Sequence, residues 1–121
     1  MAKILLVDDN ETLRARAARF LAVEGFTVLE AENGDQAMEL FKAEQPDLVL
    51  MDVWLQGRSG IAVLREMRAA DPSVKAVMIT AQGQESLVLE AVRAGAKDYV
   101  VKPLEKDRLI SVTRKLLGLA G

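Results

Sequence analysis

The chain has 121 residues, half of them hydrophobic and 28% charged, which suits one globular domain with its own core and is too short for two. Its 16 basic and 18 acidic residues leave a net charge of -2, so direct nucleic-acid binding is not expected. Cysteine and histidine are both absent, which excludes disulfides, thiol catalysis, thiolate or imidazole metal sites and any Ser-His triad.

The N-terminus, MAK followed by four aliphatics and two acids, has too short an apolar run for a signal peptide or a membrane span. A cytoplasmic protein without membrane insertion is expected. KILLVD predicts a first strand over 3–8. The helix after it carries Leu13, Ala17, Phe20 and Leu21 on one face, with Thr12 as its expected cap and Gly25 at its stop. FTVLEA predicts a second strand over 26–31, and Ala37, Leu40 and Phe41 mark a helix that ends before Pro46. DLVLMD predicts a third strand over 47–52, followed by a helix marked by Ile61, Leu64 and Met67 and closed by Asp71 and Pro72. KAVMIT, 75–80, and a helix with Leu87, Ala91 and Ala94 come next, with Gly95 after them. DYVVK, 98–102, and a helix with Leu109, Val112 and Leu116 complete the series.

Most of these strands are unbroken aliphatic runs, as in strands covered on both faces of a parallel sheet. Strict alternation of five strands with five helices predicts one α/β domain, a doubly wound (βα)5 unit with a five-stranded parallel sheet and right-handed crossovers. No repeat or low-complexity linker is visible, and the chain stops right after the last helix, so a free-standing domain over 1–121 is expected.

Ligands of open α/β sheets sit beyond the carboxyl ends of the strands. Those ends carry Asp8 and Asp9, Asp52, Thr80 and Lys102. With the central strands adjacent, three carboxylates, a hydroxyl and an ammonium meet on one rim. Carboxylates about 5 Å apart repel by roughly 3 kcal/mol per pair at an effective dielectric near 20, so the cluster calls for a cation. An all-oxygen set without His or Cys suits a hard ion, Mg²⁺, with Mn²⁺ as the alternative. A cation beside a carboxylate, a lysine and a threonine is also an arrangement that receives a phosphoryl group. Asp52, on the third strand, is the best placed nucleophile, Lys102 would neutralise charge and Thr80 would hydrogen-bond a phosphoryl oxygen.

At these residues the sequence resembles the receiver domain of bacterial response regulators, the CheY-like family. The matching pieces are VDDN at 7–10, LMD at 50–52 with Gly60 eight residues later, TA at 80–81 and AGAKDYVVKP at 94–103. None is specific alone; in this order, each at a strand end, they are. The resemblance covers essentially the whole chain and implies the flavodoxin-like strand order 2-1-3-4-5. It implies that Asp52 is the phosphoacceptor, that Asp9 is a direct and Asp8 a water-mediated Mg²⁺ ligand, and that the Trp54 carbonyl is a third protein ligand. It further implies that Lys102 pairs with the phosphoryl group, that the Lys102-Pro103 bond is cis, and that Thr80 and Tyr99 form a switch pair. The switch acts on the face of the fourth helix, fifth strand and fifth helix, where a downstream partner would bind.

The residues point independently to that face. LVLEAV, 87–92, is apolar on more than one side, and Ile110 and Leu117 lie off the Leu109, Val112, Leu116 stripe. One departure from the family is Gln56 where proline is usual, which predicts a more flexible loop. Trp54 and Gln82 occupy positions that in this family influence phosphoryl hydrolysis, and bulky Trp54 is expected to slow water.

Taken singly, each residue has a plainer reading. A lone Asp at a strand end is a helix cap or turn residue, Thr80 a cap, and Tyr99 rim packing. The combination favours a phosphorylation-controlled two-component signalling module. Lacking histidine, it would be phosphorylated in trans by a histidine kinase, a histidine phosphotransfer protein of a phosphorelay or a small acyl phosphate, as a monomer or weak phosphorylation-dependent dimer. A Mg²⁺-dependent phosphohydrolase would normally have a second acid beside the nucleophile, and DVWLQ offers none. A phosphorylation-independent interaction module is disfavoured by the intact residue set. A nucleotide or flavin binder is disfavoured by an acidic first loop without glycines.

Overall fold

The computed structural model describes residues 2–81 and 84–119. In chain order the elements are β1 Lys3–Val7, α1 Glu11–Val23, β2 Thr27–Ala31, α2 Gly34–Glu44, β3 Leu48–Asp52, β4 Trp54–Leu55, β5 Arg58–Ser59, α3 Gly60–Ala70, β6 Ala76–Thr80, α4 Glu85–Arg93, β7 Asp98–Val101 and α5 Lys106–Leu116. The five predicted strands are β1, β2, β3, β6 and β7. They form one parallel sheet in the order β2-β1-β3-β6-β7, which is the expected 2-1-3-4-5.

Side chains alternate across the pleat, so each central strand feeds two cores. Leu5, Val7, Val49, Met51, Ala76 and Met78 pack with Phe41 of α2, Leu64 and Met67 of α3 and Ala91 of α4. Ile4, Leu6, Leu48, Leu50, Val77 and Ile79 pack with Leu21 of α1 and Leu109 and Val112 of α5. The unbroken aliphatic runs are thus explained: every residue of β3 and β6 is buried.

Several local expectations are corrected. The α1 cap is Asn10, whose side chain accepts from the Leu13 N–H, because the helix already begins at Glu11 and leaves Thr12 inside its first turn. Leu13, expected on the buried face, is 36% exposed. Ile110 and Leu117, off the buried stripe of α5, are nonetheless partly buried against the core beside it. The loop containing Gln56 folds as a two-stranded hairpin, β4 with β5, turning at Gly57 with φ +83°. Leu55 inserts into the core, and Arg58 bonds Asp35 of α2 at 3.0 Å and pairs with Glu66 of α3, so the turn needs no proline to be held. Gly60 at the end of this hairpin lies so close to the Asp52 carbonyl that a Cβ there would overlap it.

Candidate functional site

The strand order places the carboxyl ends of β1, β3, β6 and β7 side by side. Asp52 is the last residue of β3 and pairs in register with Ile79, one residue before Thr80. Asp8 follows β1 directly; its N–H bonds the Ala31 carbonyl at 3.1 Å and its Oδ1 accepts from the Asn10 N–H at 2.9 Å. The Asx turn at Asp8 leaves the other carboxylate oxygen facing Asp52 and Lys102, while Asp9 is exposed.

Asp8, Asp9 and Asp52 each offer an oxygen, all within 4.8 Å of one another. At that spacing two ionised carboxylates repel by about 3 to 4 kcal/mol at an effective dielectric near 20. The donor set is all oxygen, so the residues fit a hard divalent cation. Lys102 already offsets part of the repulsion. Its Nζ lies 2.5 Å from Asp52 Oδ2 and 3.6 Å from Asp8 Oδ2, and its backbone N–H bonds the Thr80 carbonyl at 2.7 Å. The Lys102-Pro103 bond that follows is cis, as expected.

Electrostatics at the pair are set by two opposed effects. Burial pushes the Asp52 carboxyl above its ordinary value, with the Asp8 charge adding to the rise. The hydrogen bond and charge of Lys102 and the Trp54 N–H, 3.0 Å from Asp52 Oδ1, pull the other way without overcoming it. For Lys102, burial disfavours the ammonium, but Asp52 and Asp8 outweigh that and raise its pKa. Asp52 is therefore a sequestered carboxylate with one ammonium on one oxygen and a backbone donor on the other. Such a group can attack phosphorus when a donor and a cation are present.

Thr80 is buried at 2% exposure, while Tyr99 on edge strand β7 is 38% exposed. Gln82 lies outside the described residues. Sequence reasoning missed two contributors. Arg14 of α1 donates to the Asp8 carbonyl at 2.7 Å and bridges to Glu30 at 3.1 Å, bracing the acidic loop. Gln84 accepts at 3.0 Å from the indole N–H of Trp54, thirty residues away in the chain, and no local signal announces that contact. Asp9, alone of the three acids, borders a groove of about 450 Å³ that Asn33, Asp35, Gly57 and Arg58 also line. Among the described residues no helix is long and apolar enough to cross a membrane.

Comparison with known proteins agrees with this geometry. Residues 4–114 match the family described as response regulator receiver domain. The chain is 42% identical to the chemotaxis protein CheY of Bacillus subtilis, over 96% of this chain and 98% of that protein. It is 33% identical to sporulation initiation phosphotransferase F of Bacillus subtilis, over 97% of this chain and 94% of that protein. The crystal structure of the receiver domain of NtrX from Brucella abortus superposes with a TM-score of 0.92 at 36% identity, covering 97% of this chain and 99% of that one. A sheet ordered as described, an acidic cluster at its carboxyl rim and a family match over nearly the whole chain have one reading: the chain belongs to the response regulator receiver domains, signalling modules of two-component systems.

Proposed function

We propose that the chain is a single receiver unit over 1–121, working in the cytoplasm, that takes a phosphoryl group onto Asp52 from a histidine kinase or histidine phosphotransfer protein. The observation that supports this best is the Lys102 ammonium held 2.5 Å from buried Asp52, with Asp8 and Asp9 within reach of the same cation. An Asp52 oxygen bonds phosphorus, the P–N bond to the donor imidazole breaks, and its electron pair returns to the imidazole nitrogen. Lys102 neutralises charge on the transferring oxygens and keeps Asp52 oriented. Asp8, Asp9, Asp52 and the Trp54 carbonyl would hold Mg²⁺ or Mn²⁺. When bound, the ion supplies positive charge that offsets the carboxylates and the incoming phosphoryl group.

The Thr80 hydroxyl would donate to a phosphoryl oxygen and draw the end of β6 inward, with Tyr99 following. Because Lys102 N–H is bonded to the Thr80 carbonyl, the ends of β6 and β7 shift together. The outcome would be read on the surface of α4, β7 and α5, where Leu89, Val92, Tyr99 and Val101 are exposed and a downstream protein could bind, with the receiver a monomer or weak phosphorylation-dependent dimer. The receiver thus assists its own phosphorylation and dephosphorylation without turning over an external substrate.

The test is intact-protein mass after incubation with acetyl phosphate and Mg²⁺, beside Asp52→Asn. The expected result is one phosphoryl adduct that needs Mg²⁺ and is missing in the variant. An unmodified wild type whose Trp54 emission also ignores Mg²⁺ overturns the reading.

A further inference from the structure

Trp54 is the only tryptophan in the chain, and it is joined to the site at both ends. Its backbone N–H holds Asp52 Oδ1 at 3.0 Å. Its indole N–H reaches Gln84 Oε1 at 3.0 Å, at the N-cap of α4 and four residues beyond Thr80. The side chain therefore reaches from just after β3 to the N-cap of α4, beside the strand end that carries Thr80. The ring is 54% exposed, so only part of its surface is packed. The hydrogen bond to Gln84 adds a directional tie to that partial packing. Gln84 is the N-cap residue of α4, and its side chain makes no capping hydrogen bond.

We propose that Gln84 is a positioning residue that braces the Trp54 indole across the phosphoacceptor and so lengthens the life of the phosphoryl group. This rests on the proposed phosphorylation of Asp52. Loss of that group requires a water oxygen to bond phosphorus while the acyl O–P bond breaks, returning its electron pair to the Asp52 carboxylate and releasing inorganic phosphate. Water must come to phosphorus from the side opposite the Asp52 oxygen, and a braced indole narrows that approach. The brace is one neutral hydrogen bond, so removing it should accelerate the loss by about fivefold, not by orders of magnitude.

The experiment uses the full chain, phosphorylated with acetyl phosphate and Mg²⁺ and then freed of donor. Wild type, Gln84→Met and Gln84→Glu are compared by the decay of the phosphoryl adduct in intact mass and by Trp54 emission. Methionine keeps the length but accepts no indole proton; glutamate keeps an acceptor at the same reach. The expected result is faster decay and a red-shifted emission in Gln84→Met, with both restored in Gln84→Glu. Equal decay in all three overturns the brace, whether or not emission moves. Faster decay with unchanged emission also overturns it, because Gln84 would then act by another route. A wild type that takes no phosphoryl group overturns the function proposed above and the lifetime effect with it, and that result is distinct from an adduct that forms and decays equally in every variant.

Discussion

The half of the molecule built on β1, β3 and α1 to α3 differs from the half built on β7, α4 and α5. In the first half each helix begins with a side-chain cap, from Asn10, Asn33 and Ser59. In the second half neither α4 nor α5 has one. The first half buries β3 throughout, while β7 leaves Tyr99 and Val101 at 38% exposure and α4 shows Leu89 and Val92 to solvent at 57% and 53%. Within α5 the Thr113 hydroxyl is fully buried without a hydrogen-bond partner. The site spans the divide: Asp8, Asp9 and Asp52 stand on the well-capped half, Thr80 and Lys102 toward the other. The acids thus stand on helix-capped elements, while Thr80 and Lys102 border elements with fewer caps and more exposed apolar side chains.

The largest test of that contrast is a matched pair of truncations. Leu64→Ala, in the core under α3, should cost about 3 kcal/mol, and Leu89→Ala on exposed α4 less than about 0.5 kcal/mol, both read from urea unfolding. Similar losses would mean that the halves do not differ.

The next effect is electrostatic. The folded protein raises the pKa of Asp52, so the fold favours its neutral form; that contribution is complete below the ordinary value near 3.8 and is lost as pH rises through the folded value. Melting in EDTA should show Asp52→Asn gaining on wild type as pH rises from about 4 toward neutrality. A constant difference across that range would contradict the burial argument. Lys102, with its raised pKa, contributes in the alkaline range instead, fully below 10.5 and lost above it.

Thr113→Val should stabilise the chain by about 1 kcal/mol by removing a buried hydroxyl with no partner, measured as an upward shift in Tm. The caps give effects of the same size or less. Ser59→Ala should lose about 1 kcal/mol, whereas Glu105→Asp, at a position whose backbone is already extended as a cap requires, should gain about 0.5 kcal/mol. Hydrogen exchange resolved by helix would show whether the gain stays in α5.

The order of elements and the polar strand ends were legible in the sequence. Hydrophobic period and glycine or proline stops are local properties, and they located all five sheet strands to within a residue or two. Boundaries set by a single hydrogen bond were not. Asn10 took the cap from Thr12 because both can accept from the helix's first N–H groups and only the course of the chain after Asp8 decides between them. The β4–β5 hairpin escaped because two-residue strands carry no period, and its anchor, Arg58, finds Asp35 and Glu66 only after α2 and α3 are packed.

By itself, then, the sequence determined the alternation of strand and helix, the five-stranded fold and the identity of the groups at the carboxyl rim. Residue type and spacing act through neighbours along the chain, and that suffices for such features. The tertiary structure alone decided how near those groups come: Lys102 to Asp52 across fifty positions, the three carboxylates within 4.8 Å, and Trp54 to Gln84 across thirty. Those distances depend on which strands become neighbours and in what register, and that is set by two hydrophobic cores closing on opposite faces of one sheet at once.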